Sequence, residues 1–144
     1  MEYFAIAYRS TAVNGLTPAA LDHLLVDSRA HNRMAGVTGV LLYDGQHFLQ
    51  YLEGTSAGVR RIYERIVASR HHVELQLLQH GPAARRFFPQ WYMGCHETGG
   101  SVLQKLSSQQ WRHEAAHLRD EAGASAGLRQ LLAFWERQDP HPRA

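Results

Sequence analysis

The chain contains a single cysteine, Cys95, among its 144 residues, so no disulfide can form within it. Small exported domains often rely on disulfides, and this absence favours a reducing compartment, the cytoplasm. No apolar run approaches the roughly 20 residues that cross a bilayer. The start, Met1-Glu2-Tyr3, leads into strand-like sequence without the basic and apolar regions of a leader. These features predict a soluble cytoplasmic protein with no membrane partner.

The chain also lacks blocks of like charge. Its 15 basic and 13 acidic residues are interspersed, and the formal net charge is only +2. Nucleic-acid binding usually needs a basic stripe, and the stretch Arg85-Arg86-Phe87-Phe88 has no second basic patch to accompany it. We therefore expect no nucleic-acid partner. Ten histidines are many for this length, so metal binding has to be weighed.

Length and composition predict one core with an extension. A chain of 144 residues with 44% hydrophobic content supports one domain and is short for two. We place a compact domain at residues 1–97. After Gly99-Gly100 the pattern turns helical, which predicts a helical cap, or an oligomer or partner surface, over residues 98–144.

Hydrophobic periodicity and turn residues predict the order β-α-β-β-α-β-β. The first helix begins at Thr17-Pro18, a cap and first-turn pair, and the second begins after Gly54. This order predicts an α+β fold, a ferredoxin-like βαββαββ sheet with two helices on one face, plus a C-terminal helical extension. The groove between the helices is the expected pocket. The predicted strands cover residues 3–9, 37–43, 46–53, 73–79 and 90–96.

A phenol and an amide indicate a polar site on this sheet. Tyr8 ends the first strand, and Gln50 lies in the middle of the third, each on an apolar face. A two-residue loop at Asp44-Gly45 would place Gln50 opposite Gly39 and leave the amide room to move. A buried amide is costly unless it is hydrogen-bonded. The pair therefore predicts a buried polar site in place of a plain core.

The predicted last helix carries an apolar stripe at Leu128, Leu131, Leu132 and Trp135. Such a stripe needs a partner surface, which is either the open face of the sheet or a second subunit. The sequence is compatible with both, and a small homo-oligomer is our default expectation.

One metal motif competes with this interpretation. Residues 113–117 read H-E-x-x-H in a predicted helix, where His113 and His117 could hold zinc, with Glu136 as a third ligand. The motif lies in a short extension without a strand or cleft to hold a substrate. We therefore predict no metal site, and a zinc-binding hydrolase is the alternative.

A ferredoxin-like fold of another kind is a further alternative, either a ligand-binding module or an acylphosphatase-like hydrolase. Arg9 and Asn32 supply the residue types that such a hydrolase uses. The loop at residues 10–15 lacks the glycine-dense cradle of a backbone phosphate site. Phosphate chemistry is therefore disfavoured.

Five blocks of the sequence, in order, resemble the BLUF family of flavin-binding blue-light sensor domains over roughly residues 3–97. The blocks are Tyr8-Arg9-Ser10, Ser28-Arg29-Ala30-His31-Asn32, Val37-Thr38-Gly39-Val40-Leu41-Leu42-Tyr43-Asp44-Gly45, Phe48-Leu49-Gln50-Tyr51-Leu52-Glu53-Gly54 and Arg86-Phe87-Phe88-Pro89-Gln90-Trp91-Tyr92-Met93-Gly94. The resemblance implies a flavin between the two helices, usually FAD, with FMN and riboflavin as the other candidates. It also implies a blue-light photoreceptor that turns over no substrate.

The resemblance further implies residue roles. Tyr8 and Gln50 would be the photochemical pair, in which an electron and a proton leave the tyrosine and the amide ends in a new hydrogen-bonding state. Trp91 and Met93 would relay the signal, and which of them lies beside the flavin is open. The implied cofactor-binding residues are Asn32, His31, Arg65, Ser28, Phe48 and His71.

One block departs from the family pattern. Family members often carry an aspartate two residues before an Arg-His pair, where this chain reads Ser69-Arg70-His71-His72. The carboxylate is absent, and either Arg70 or His71 takes the place of the family's arginine. We expect the signal to reach the C-terminal helices and an unidentified partner protein, without an attached cyclase, phosphodiesterase or DNA-binding domain.

Overall fold

The computed structural model describes residues 3–13, 17–83, 85–89, 94–96 and 126–138. These residues form five strands and three helices in the predicted order, which confirms the α+β fold. The elements are β1 Tyr3–Ala12, α1 Pro18–Ala35, β2 Thr38–Tyr43, β3 His47–Gly54, α2 Ser56–Val67, β4 His72–Ala83, β5 Gly94–His96 and α3 Ala126–Gln138. No helix in these ranges is long and apolar enough to cross a membrane.

The five strands form one sheet in the order β4-β1-β3-β2-β5. Strand β1 pairs antiparallel with β3 and β4, and β2 pairs antiparallel with β3. Strand β5 adds to the outer side of β2 in parallel, with Gly94 opposite Val40. The ferredoxin-like arrangement therefore holds β1 and β3 in the interior of the sheet, where both neighbours constrain them.

The helices begin and end where their capping residues require. The Thr17 side chain accepts a hydrogen bond from the Ala20 amide at 3.1 Å, and Thr55 accepts one from Gly58 at 3.2 Å. Helix α1 stops at Gly36, whose φ of 69° is the left-handed conformation that glycine adopts without strain. These local signals place the two helices that cover one face of the sheet.

Alternation along the central strands divides the core between the two faces of the sheet. The α1 and α2 face buries a cluster that includes Phe4, Ile6, Leu21, Leu25, Val37, Leu41, Leu52, Val59 and Ile62. The opposite face buries Ala5, Ala7, Val40, Leu42, Leu49, Tyr51, Phe87, Phe88, Leu128, Leu131, Leu132 and Phe134. Helix α3 therefore packs on the open face of the sheet, which the sequence had left undecided between the sheet and a second subunit.

The helix α3 stripe differs from the prediction in one member. Leu128, Leu131 and Leu132 are buried as predicted, and Phe134, which the stripe omitted, is only 2% exposed. The Trp135 side chain lies outside the described residues, as do His113 and His117 of the H-E-x-x-H motif.

The predicted two-residue hairpin loop between β2 and β3 is wrong. Tyr43 pairs with Phe48, and Gln50 lies opposite Leu41 in place of Gly39. The Asp44 carboxylate accepts the amides of Gln46 at 2.8 Å and His47 at 2.6 Å, which stabilises a longer connection.

Gly39 has a different purpose from the one predicted. It lies opposite Leu52, and a Cβ there would come within 1.9 Å of the Tyr51 carbonyl oxygen. The glycine therefore allows the β2 and β3 backbones to approach closely and does not make room for Gln50.

Candidate functional site

A cavity of about 650 Å³ lies where α1, α2 and the inner strands meet. Its volume falls within the range of about 300–1,000 Å³ that is usual for small-molecule sites. Apolar side chains and a small number of polar groups share the wall. The lining residues are Tyr8, His23, Leu24, Asp27, Ser28, Leu41, Phe48, Gln50, Arg65, Ile66, Ala68, Ser69, Arg70, His71 and His72.

Tyr8 and Gln50 form a hydrogen-bonded pair in this wall. They are directly opposite each other on β1 and β3, so the cross-strand register brings their side chains together. The Tyr8 hydroxyl donates to Gln50 Oε1. Only 3% of Tyr8 and 5% of Gln50 is exposed, which places the bond at the buried end of the cavity.

Burial keeps the Tyr8 phenol protonated. Loss of solvation raises the pKa of Tyr8 well above its ordinary value, and the neighbouring Tyr63 raises it further. The ring centres of the two tyrosines are 6.3 Å apart. Tyr8 therefore stays a hydrogen-bond donor at any physiological pH, and Gln50 is the acceptor that holds its proton.

A second polar connection ties the cavity wall together. His72 Nε2 lies 2.8 Å from the Ile66 carbonyl oxygen, which can only accept, so this nitrogen carries the hydrogen. In the neutral ring Nδ1 then accepts from the Ser10 hydroxyl at 2.6 Å. The His72 ring lies 5.8 Å from the Tyr8 ring. This chain of bonds joins the end of α2 to β1 beside Tyr8.

Charged side chains occupy the exposed rim. Asp27 of α1 and Arg65 of α2 form an ion pair that joins the two helices, and both side chains are about half exposed. His31 lies one turn after Asp27, with 3.4 Å between its Nε2 and Asp27 Oδ1. The cavity therefore changes from apolar and hydrogen-bonded at its floor to ionic at its rim.

Six of the ten predicted site residues line this cavity, and two further described ones do not. Asn32 is buried, with 1% exposure, and His31 is partly exposed, but neither lies in the lining. Trp91 and Met93 lie outside the described residues. The six in the lining are Tyr8, Ser28, Phe48, Gln50, Arg65 and His71.

Sequence reasoning missed Ser10, Asp27 and His72 as parts of this region. Alternation along β1 places Ser10 on the Tyr8 face, and helical spacing places Asp27 on the face of His23 and Leu24, so both had a local signal. His72 had none, because its partners lie on β1 and α2. At the position where the family often has aspartate, the Ser69 hydroxyl accepts the His71 amide at 3.2 Å.

Metal ligands are not assembled in the part of the chain that the structure describes. No group of three or more His, Cys, Asp or Glu side chains there could hold an ion. Glu136, the proposed third zinc ligand, lies on an exposed position of α3.

Comparison with known proteins decides the family. A family model described as "BLUF: Sensors of blue-light using FAD" matches residues 3–94, more than half of the chain. The chain belongs to the BLUF family. Residues 3–94 therefore form a region of the kind that senses blue light using FAD, and this BLUF region contains the whole cavity.

Relatives and solved structures agree with the BLUF assignment. The blue light- and temperature-regulated antirepressor BluF of Escherichia coli (strain K12) is 34% identical over 83 residues, which are 57% of this chain and 21% of that protein. The dark-state structure of the BLUF protein BlrB has a TM-score of 0.65 at 26% identity and covers 92% of this chain and 97% of its own. The structure of BlrP1 BLUF has a TM-score of 0.74 at 24% identity, covers 93% and 90%, and supports the fold alone.

The chain spans about a fifth of the length of the antirepressor that it resembles. The similarity therefore concerns the sensor region and not the whole relative.

The residues present fit the flavin that a BLUF domain binds. The cavity has the volume of a small-molecule site, aromatic and aliphatic side chains in its wall at Phe48, Leu41 and Ile66, and the buried hydrogen-bonded pair Tyr8 and Gln50. Arginine and histidine side chains at its rim suit the polar chain of such a ligand.

Proposed function

We propose that Tyr8 and Gln50 carry the light response of this BLUF chain, and that a rearrangement of their hydrogen bond is the primary signal. The observation that supports this is the direct bond from the Tyr8 hydroxyl to Gln50 Oε1, buried in the wall of the cavity. When bound, the flavin supplies blue-light absorption and an oxidising excited state. The remaining steps belong to the side chains of the protein.

Each member of the pair has the chemistry that this role requires. The phenol is an oxidisable proton donor that burial keeps neutral. The glutamine amide has an acceptor and a donor on one side chain, so rotation or tautomerisation exchanges what it offers to its neighbours. A proton that leaves the Tyr8 oxygen would pass to Gln50 Oε1, its bonded acceptor.

The residues proposed to hold the flavin are those that the family resemblance names. Ser28, Phe48, Arg65 and His71 support this because they line the cavity. Asn32 and His31 lie at the end of α1 on the same helix as Ser28. We assign Asn32 and His31 a place at the edge of the ligand and not along its length.

The sheet offers a route from Gln50 to the last strand. Gln50 of β3 is opposite Leu41 of β2, and Leu41 is opposite Cys95 of β5. A change at Gln50 therefore reaches β5 through one intervening strand. We propose that Trp91 and Met93, which precede β5, take part in this relay. We also propose that residues 98–144 form the surface whose binding changes with light.

The output proposed for these residues is an interaction and not a reaction. Residues 1–97 would sense light, and the C-terminal region would bind a second copy of the chain or a separate partner protein. The Escherichia coli relative is a blue light- and temperature-regulated antirepressor, and we propose a regulatory output of that general kind here. The partner of this chain is expected to distinguish its dark and lit states.

Absorption spectroscopy of the purified protein tests this proposal. Tyr8→Phe should bind flavin yet show no reversible red shift under blue light, because the phenolic proton is gone. Tyr63→Phe is the matched control, since it removes a neighbouring phenol that lies outside the cavity lining. A normal photocycle in Tyr8→Phe, or a wild-type protein that stays colourless after reconstitution with FAD, FMN and riboflavin, would contradict the proposal.

A further inference from the structure

A buried carboxyl group lies on the face of the sheet opposite the cavity. Glu53 is on β3, three residues after Gln50, and is 0% exposed. Alternation along β3 places Gln50 toward α1 and α2 and Glu53 toward the core that α3 covers. The strand that carries the proposed switch therefore also carries an ionisable group on its reverse side.

Both oxygens of Glu53 accept hydrogen bonds from the segment that leads toward β5. The Phe87 amide donates to Oε1 at 2.7 Å, and the Phe88 amide donates to Oε2 at 2.6 Å. The Thr38 hydroxyl at the start of β2 also donates to Oε2, at 3.3 Å. One carboxylate thus joins β3, β2 and the connection between β4 and β5.

The backbone of this connection depends on that side chain. Residues 85–89 are in neither helix nor strand, so their buried amides need acceptors from elsewhere. Phe88 is 1% exposed, and its ring packs against Tyr51 with centres 5.7 Å apart. The carboxylate satisfies two consecutive amides that have no place in the ladder of the sheet.

Arg86 is the charged group that acts on Glu53 within the described residues. Its guanidinium donates to Thr38 Oγ1 at 3.2 Å and to the Gly36 carbonyl at 2.8 Å. No ion pair joins Glu53 to a described cation, since the contacts of the carboxylate are to amides and a hydroxyl. The bonds to Phe87 and Phe88 therefore stabilise the ionised form, with a weaker contribution from Arg86.

We propose that Glu53 is a positioning residue for the light response, whose carboxylate holds the Phe87 and Phe88 amides and so couples the strand of Gln50 to the segment that enters β5. This role rests on the function proposed above. The signal would arise in the cavity and would be transmitted on the opposite face of the sheet, which α3 covers.

The ionisation state of Glu53 decides how firmly the segment is held. Burial raises the pKa of Glu53 to about 7, although both amides, Thr38 and Arg86 act in the opposite direction. A protonated carboxyl has a hydroxyl in place of one acceptor, so it cannot accept both amides in the same way. The hold on residues 85–89 should therefore weaken as the pH falls through about 7.

Two variants test this role. Glu53→Gln keeps the size of the side chain but replaces one acceptor by a donor. Glu64→Gln removes a carboxyl from an exposed position of α2 and is the matched control. For each protein, absorption reports the change beside the flavin, and the ratio of lit to dark hydrogen exchange in β5 reports its transmission.

Glu53→Gln is expected to keep the red shift and to lose the light-dependent change of exchange in β5, while Glu64→Gln keeps both. In the wild type, that ratio should approach one as the pH falls below 7. If the lit-to-dark exchange ratio in β5 is the same in both variants while the wild type shows a red shift, the role of Glu53 is overturned and the proposed function is not. A wild type without a red shift would overturn the proposed function and this role together.

A measurement in the dark tests the contact even if Glu53→Gln fails to fold. The Phe87 and Phe88 amide proton shifts of the wild type should titrate together, with a midpoint near pH 7, because both amides bond to one ionising group. Amide shifts that stay constant from pH 5 to pH 9 would overturn the proposal.

Discussion

The two faces of the sheet each bury a polar cluster, but the clusters differ in charge and surroundings. On the helix-covered face, the neutral pair Tyr8 and Gln50 borders a cavity. On the opposite face, the ionisable Glu53 is packed among backbone amides in a closed core. A neutral pair beside open space can rearrange at low cost, whereas a packed carboxylate holds its partners in place. We propose that the cavity face switches and the opposite face transmits.

Gln50→Leu should have the largest effect on function. The variant removes both the acceptor and the donor of the switch, so the reversible red shift should disappear completely. The Tyr8 hydroxyl would lose its acceptor, which should lower the free energy of unfolding by about 1–3 kcal/mol. Absorption spectra and urea unfolding measure the two effects.

Leu41→Met is a suitable control for Gln50→Leu. Leu41 lies opposite Gln50 and lines the same cavity, and the exchange conserves volume. The control should keep its red shift. A red shift in Gln50→Leu itself would show that Gln50 is not required for the light response, and the cavity face would then not be the one that switches.

Glu53→Ala should have the largest effect on stability. It leaves the Phe87 and Phe88 amides buried without their acceptor, and each such group costs about 1–3 kcal/mol. We expect the free energy of unfolding to fall by about 4 kcal/mol in urea titrations. Glu64→Ala, on the surface of α2, should change it by less than about 0.5 kcal/mol. Equal losses in the two variants would show that Glu53 does not hold the connection.

The pH dependence of stability should separate the two clusters. The folded-state pKa of Glu53 is raised to about 7 from 4.5, so the native state binds the proton more tightly than the unfolded chain does. This contribution to stability is complete below pH 4.5 and is lost as the pH rises through about 7. It amounts to about 3 kcal/mol.

Chemical unfolding of the wild type and Glu53→Gln across that pH range measures the contribution. The free energy of unfolding of the wild type, relative to that of Glu53→Gln, should fall as the pH rises. Tyr8 should add nothing to this dependence because its pKa is raised far above the range. A difference that stays constant with pH would contradict the raised pKa of Glu53.

Asp27→Asn should have the smallest effect. The ion pair with Arg65 lies at the exposed rim, where such pairs contribute about 0.5 kcal/mol. We expect the free energy of unfolding to fall by about 0.5 kcal/mol, with the red shift unchanged. Urea unfolding and absorption spectra would measure the two quantities. A loss of the red shift would place the rim within the switch.

Local patterns in the sequence predicted most of the fold. Thr17 and Pro18 open α1, Thr55 follows Gly54 and caps α2, and alternation along β1 and β3 places Tyr8 and Gln50 on one face. These features act over a few residues, through capping bonds and the two-residue period of a strand. These features could be predicted from the sequence because they form without a distant partner.

The sequence-based predictions failed at two kinds of contact. In one, a side chain changes the turn beside it, and in the other, a side chain bonds to groups on distant elements. The Asp44 carboxylate holds the Gln46 and His47 amides, which lengthens the hairpin loop and shifts the register from Gly39 to Leu41. His72 joins Ser10 and Ile66 across 62 and 6 residues of sequence. Neither contact has a periodic signature.

The sequence by itself determined the order of helices and strands and the family, because these depend on residue types in local patterns and blocks. It also predicts Tyr8 and Gln50 as the switch pair. Tertiary structure alone decided that α3 covers the reverse face and that Glu53 is buried there. A glutamate at an alternating position is ordinarily exposed, since charge is costly to bury. It became buried only because folding brought the Phe87 and Phe88 amides, 34 and 35 residues away, within hydrogen-bonding distance of its two oxygens.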